Sequence, residues 1–469
     1  MRHSRKSAVF LSAAILALAT IGGGARAAST EPSSTPRAHC GPGSLPETGL
    51  QGRVSAADVA SGRALRGYRC NAQLRGHFGV TGYEGGSGGY KVFRYVDAHG
   101  HECAYYDSTL LFPVNAIGHD LPGVFVLDMK NPSHPVRTAT LTTPSMLSPH
   151  ESLSFNAKRG LLAAGMGNPT TYPGVVNIYD LTGDCRHPQL RSSLPLGILG
   201  HEGNFSPDGK TLWISDSNNA GGTMTAIDVS DPSLPRLLWL KTGIGVHGMN
   251  ISNDGKRVYY ADLVNHGMTI LDTSQIQDRK PNPQVSVISR LTWNVVSIPQ
   301  NAIPFTSGGH RYVLEFDEFS KGLNQGTVLP PVGAARIINI DNERRPFVKW
   351  DLRLQVNQAA NYDTVKGDAG ATNFLQGYTA HYCSIPTRLN PTIVACSFIL
   401  SGLRVFDIHD LTKQPREIAY FNMPVSTLRG TTAYAMSAPT FVPARDEIWY
   451  TDGNSGFYNI HLTNGVWPR

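Results

Sequence analysis

Charge is scarce in this sequence. Only 16% of its 469 residues are Asp, Glu, Lys or Arg, against about a quarter in ordinary globular chains. No basic run follows the first few residues, which excludes the electrostatic footprint of a nucleic-acid binder. No long apolar stretch follows residue 21, so the remainder has no helical membrane span. The His-Glu-x-x-His and Walker patterns are missing as well. That removes zincin and P-loop chemistry from consideration. Cysteine is sparse but even in number, at six.

What is abundant is punctuation. The chain has 48 glycines and 31 prolines without a collagen-like period, a mixture that suits many short strands joined by tight turns. The N-terminus has the form of an export signal. Arg2, Arg5 and Lys6 precede the apolar stretch Ala8 to Ile21, and Ala25-Arg26-Ala27 is a small-residue cleavage site. Residues 1–27 are therefore expected to be a general secretory signal peptide. Its removal takes four basic residues and lowers the formal charge from +6 to +2. An extracytoplasmic location, secreted or periplasmic, follows, and there an even cysteine count favours disulfides. Cys383 and Cys396 flank a hairpin-like segment and can pair. Cys40, Cys70, Cys103 and Cys185 leave three connectivities open.

Residues 28–46, rich in Ser, Thr and Pro, read as a disordered linker, and 47–79 as an N-terminal segment. Beyond them one unit recurs. "GVFVLDMKNPSHPV" from Gly123, "GVVNIYDLTGDCRHPQL" from Gly174 and "GTMTAIDVSDPSLPRLL" from Gly222 share a glycine, an apolar strand, an Asp, a polar turn and a proline. Copies from Gly267, Gly333 and Gly402 follow the same plan. The aspartates Asp128, Asp180, Asp228, Asp272 and Asp407 are placed to accept backbone N–H groups in Asx-turns. Between copies lie hairpins such as "HEGNFSPDGKTLWISDS", with the turn Pro207-Asp208-Gly209. Four strands over about 45 to 55 residues make a propeller blade.

Inner strands beginning near Gly88, His150, His201, His247, Asn301, His381 and Ser437 give seven blades. The predicted fold is all-β: a seven-bladed β-propeller in one domain, residues 80–469. The last blade ends after its third strand, and Arg63 to Phe78 can supply the missing one, closing the ring without free edges.

The Gly-x-x-[Ile/Val]-x-Asp-x-x-Asp-Pro-x-x-Pro copies resemble those of the LVIVD-repeat proteins, a class of exported β-propellers; "GTMTAIDVSDPSLP" is the nearest copy. The resemblance covers about residues 80 to 462 and implies the fold. It implies little about chemistry. At the level of architecture alone the chain is also similar to the selenium-binding, methanethiol-oxidase-like propellers, which have channel-facing histidines and an associated copper. No residue assignment carries over from them.

His150, His201, His247 and His381 occupy one position in four blades, just before the innermost strand, at the rim of the central channel. Three readings of this ring stand side by side. The imidazoles can tie neighbouring blades together as a repeated structural device. They can converge on a transition metal such as copper, zinc or iron, with Glu151 and Glu202 orienting ring N–H groups. They can act as acids or bases on an organic ligand. The leading expectation is a metal- or small-ligand-binding channel mouth, with a metal-dependent oxidoreductase as its enzymatic form. The alternative is a non-enzymatic extracellular scaffold that holds a protein or polysaccharide, and on either reading a monomer is expected. Glu315, Asp317 and Glu318 in "LEFDEFSKG" read as a solvated strand end rather than a hard-cation site. "YEGGSGGY" reads as a turn, Arg429 as a surface charge, and Leu354 to Gly377 as a flap over the channel.

Overall fold

The structure, a computed structural model, describes residues 31–79, 88–108, 123–147, 149–166, 174–196, 200–216, 222–293, 297–319, 333–372, 377–423 and 433–469. The expected signal peptide, Arg429 and most of "YEGGSGGY" lie outside them.

Seven antiparallel sheets form the blades of a propeller; five consist of consecutive strands and two gain a strand from the N-terminal segment. The inner strands of blades one to seven are Val92–Val96, Ser154–Asn156, Glu202–Phe205, Val246–Ile251, Ile298–Ser307, Cys383–Ser384 and Thr440–Val442. The second and third strands of a blade are buried on both faces, as Thr211–Asp216 and Leu161–Gly165 are. They are packed between neighbouring blades, which is why their sequences run apolar without alternation. Outer strands such as Arg236–Thr242 are largely exposed.

The repeated aspartates make the turns expected of them. Asp128, Asp180, Asp228, Asp272 and Asp407 each accept the backbone N–H two residues on, at 2.8 to 3.0 Å. At the Pro207-Asp208-Gly209 turn, Asp208 accepts from the Lys210 N–H at 3.0 Å, and Gly209 takes φ +70°, a conformation glycine adopts without strain.

The ring closes through the N-terminus. Ala72–Phe78 pairs with Gly456–Leu462 and completes blade seven. The stretch read as one strand from Arg63 is in fact divided. Arg63–Arg66 is a 3-10 turn, and Tyr68–Cys70 adds a fifth strand to blade six beside Arg416–Asn422. Asn71 at φ +50° redirects the chain between the two blades, and asparagine tolerates that region better than most residues.

The expected linker also differs from its reading. Residues 31–46 are laid against the propeller: the Thr35 N–H donates to Arg353 O at 2.8 Å, Glu31 pairs with Arg353 at 3.2 Å, and Leu45 bridges to Arg69. Composition alone misled here, because a disulfide from Cys40 to Cys70 and a buried arginine supply the anchorage that Ser, Thr and Pro cannot. The described part of Leu354 to Gly377 is not a free flap. It folds into short helical turns that pack on the N-terminal segment, with Arg53 bound to Asp368 at 2.8 Å and the Tyr378 hydroxyl donating to Val54 O at 2.9 Å.

All six cysteines are paired. Cys383–Cys396 joins directly opposed residues of two strands. Cys103–Cys185 links blades one and two, and Cys40–Cys70 fastens the N-terminal segment. Three disulfides are the pattern of an oxidising, extracytoplasmic compartment. No helix among the described residues is long and apolar enough to cross a membrane.

Candidate metal centre in the central channel

The inner strands of adjacent blades approach closely. A Cβ at Gly248 would stand 2.4 Å from Gln300 O and 2.6 Å from the Asn301 amide nitrogen. That closeness brings side chains from widely separated blades together on the axis. His201, His247 and His381 are buried there, and His150 is half-buried. Glu151 lies at their centre, 2% exposed.

Two rings are oriented by backbone. The His247 Nδ1–H donates to Pro299 O at 2.8 Å, and the His381 Nδ1–H to Met436 O at 2.6 Å. A carbonyl can only accept, so these contacts fix the proton on Nδ1 and aim Nε2 inward. His381 Nε2 is 3.1 Å from Glu151 Oε1 and 3.2 Å from Glu318 Oε2. His201 Nε2 is 3.2 Å from Glu151 Oε2 and 2.9 Å from His247 Nε2. His247 Nε2 is 3.6 Å from Glu151 and 3.8 Å from Glu318.

Electrostatics follows this geometry. Burial opposes a charge on His381, yet its hydrogen bonds to Glu151 and Glu318 outweigh burial and raise its pKa to about 10. His201 is raised too: burial works against it, and Glu151 prevails. Burial, then the neighbouring His201, lowers His247. Burial would raise Glu151, but the hydrogen bonds from His201 and His381 hold it well below the usual carboxylate range. Contact with Glu151 and Glu318 thus favours the cationic form of His381.

His150 stands slightly apart. Its ring is 4.3 Å from that of His201, its Nδ1 is 3.4 Å from His201 O, and burial drops its pKa to about 3. Its backbone takes φ +50°, uncommon for a non-glycine residue. A ring nitrogen of His150 still lies within 4.8 Å of the donors of Glu151 and His201.

Glu202, expected to orient a ring N–H, does something else. It accepts from Lys91 Nζ and from the Tyr382 hydroxyl in two short hydrogen bonds. Lys91 also donates to Gly203 O at 3.1 Å, and Gln300 Nε2 donates to the Tyr382 hydroxyl at 3.1 Å. These residues come from blades one, three, five and six, so they form a polar bar across the axis beneath the histidines. Three residues further along the inner strands, Asn204 donates to Asn250 at 2.8 Å and Asn250 to Asn301 at 2.9 Å. Arg388 donates to the Asn250 side chain at 2.8 Å. Asn301, aligned with the histidines from the sequence, belongs to this deeper amide ladder.

Glu315, Asp317 and Glu318, read as a solvated strand end, are all buried. Arg336 neutralises Glu315 and Asp317, the latter through contacts at 2.5 and 2.9 Å. Glu318 points instead at the histidines. A sequence signal for it existed. Second strands end in Asp107, Asp216, Asp262 and Asp452 in four other blades, while blade five ends in Asp317-Glu318 and lacks the ring histidine. Tyr90, Lys91 and Tyr382 were missed because no spacing rule marks them.

A second cluster, Asp97, His101 and Asp184, can also be drawn. Its carboxylates are already occupied. Asp97 accepts the N–H groups of His99, His101 and Cys185, and Asp184 is held by both ends of the Arg186 guanidinium at 2.9 Å.

No protein-family model and no curated protein matches the chain. Among solved structures it is similar to the hydrazine synthase of Kuenenia stuttgartiensis, at 12% identity and TM-score 0.50, over 83% of this chain and 100% of that one. It is similar to the periplasmic gluconolactonase of Pseudomonas aeruginosa, at 13% identity and TM-score 0.48, over 72% and 92%. A putative 6-phosphogluconolactonase from Bacteroides uniformis gives 11% and 0.49, over 70% and 84%. At such identities the likeness extends to the fold alone.

Proposed function

We propose that this chain is an exported propeller, related by its repeats to the LVIVD class, that holds one divalent transition metal among His201, His247, His381, Glu151 and Glu318. One observation carries the reading: three Nε2 atoms converge on a single buried carboxylate. Donors bound to one first-row ion at about 2.1 Å stand about 3 Å apart, and the contacts here run from 2.9 to 3.8 Å. Two carboxylates balance a divalent charge. Imidazole and carboxylate without thiolate suit iron, zinc or Cu(II) and disfavour Cu(I).

When bound, the metal would supply Lewis-acid or redox chemistry, which favours a metal-dependent enzyme, with oxidoreductase chemistry its leading form. The chain's own residues would hold and enclose it. Pro299 and Met436 carbonyls fix two rings, His150 offers a fourth nitrogen nearby, and the Lys91–Glu202–Tyr382–Gln300 bar seals the cup from below. Three imidazoles turned toward one buried carboxylate favour this reading over a protein- or polysaccharide-binding scaffold.

Elemental analysis of protein from its native compartment tests the proposal. About one metal per chain is expected, and Glu151→Gln should lose it. A wild-type protein that takes up none of Cu(II), Zn(II) and Fe(II) after exposure to each would overturn it.

A further inference from the structure

Lys91, Glu151 and Glu202 are the residues that follow the ring position in blades one, two and three. The parallel bridge between Glu151 and Glu202 sets that register, and Lys91 bridges Ala438 of blade seven in the same way. Tyr90 therefore stands in blade one where His150 and His201 stand in the next two. Its ring lies 4.5 Å from that of His150 and 5.3 Å from that of His381, which completes an arc of rings around Glu151.

The backbone of Tyr90 is fully engaged. Its N–H donates to Asp107 Oδ1 at 3.0 Å, and its carbonyl accepts from the Ala438 N–H at 2.7 Å. Its hydroxyl is not: it makes no hydrogen bond to any described residue, although the residue is only 6% exposed. A phenol O–H can donate a hydrogen bond. A phenylalanine would fill the same place between the His150 and His381 rings, and no hydrogen bond among the described residues requires a hydroxyl there.

We propose that the Tyr90 hydroxyl donates a hydrogen bond to a small oxygen- or nitrogen-donor ligand that the metal would bind beside His150 and His381. The inference rests on the metal reading above and extends it to what the metal takes. The ligand class is one with a lone pair facing Tyr90 once an adjacent atom is bound. The rigid anchorage at Asp107 and Ala438 makes the donor preorganised, so that little is lost in ordering it.

Azide is the probe, titrated into Cu(II)-loaded protein and followed by its charge-transfer absorption. Tyr90→Phe keeps the ring and removes the donor. Its metal content should equal that of wild type, and its azide affinity should fall about tenfold. Metal content unchanged with azide affinity also unchanged would overturn the inference and leave the metal reading intact. So would a wild type that holds copper but takes no azide. A wild type that binds no metal defeats both, and metal content distinguishes that case. Should Tyr90→Phe fail to fold, 3-fluorotyrosine at position 90 decides: as a stronger donor it should tighten azide, and no change would count against the proposal.

Discussion

Glu151 links more of the candidate centre than any other residue. Its Oε1 faces His381 and its Oε2 faces His201 and His247. Glu151→Gln should weaken metal binding on the order of a hundredfold or more, measured by competition with a chelator of known affinity. Glu202→Gln, which disturbs only the bar beneath, should leave metal stoichiometry unchanged. A second expectation concerns protons. Metal-free, the protein keeps His381 cationic up to about pH 10, against 6.5 for an ordinary histidine. Metal uptake at pH 7 should therefore release at least one proton, read by calorimetry in buffers of different ionisation enthalpy; zero release would contradict the assignment. The same shift has a stability sign. The folded state holds a proton the unfolded chain gives up, so this contribution is complete below about 6.5 and lost as pH rises through about 10. The melting temperature of metal-free protein should fall over that window, and metal should flatten the fall. The histidines were legible in the sequence because they recur at one place in a repeat. Glu318 was legible only as an extra acid at the end of a second strand that in four other blades closes on Asp, and the direction of its side chain has no local mark.

At the scale of elements, turns were legible and partners were not. An Asp two residues before a turn N–H is a local device, visible in five copies, and all five form it. Where Tyr68–Cys70 pairs depends on blade six, more than three hundred residues away, and no local pattern reports that. Ala72–Phe78 closes blade seven. A chain beginning at Gly79 should leave Gly456–Leu462 as an open edge and melt on the order of 10 °C lower, or aggregate. The disulfides offer a graded test. Cys103–Cys185 spans 82 residues and Cys383–Cys396 spans 13. Loop-closure entropy makes removal of the longer one more damaging by about 1.6 kcal/mol, measurable by denaturant unfolding of Cys-to-Ser pairs. Equal losses would mean that native packing, not chain entropy, sets their worth.

At the scale of the whole molecule, repetition explains what could be read. Seven copies of one unit announce a propeller even when each copy is degenerate, while the candidate centre combines a repeated histidine position with places where the copies differ: a tyrosine in blade one and an extra acid in blade five. The donors span residues 151 to 381, yet the ring that holds them is locked by residues 72–78 meeting 456–462. If the centre holds a metal, a chain that lacks either of these segments would have no closed ring to hold it, and uptake would follow their pairing. On the proposed reading, an ion held there would brace five successive blades across the axis. A single proteolytic nick in any blade should then release the metal well before the strands come apart, which makes bound metal a sensitive reporter of the continuity of the ring.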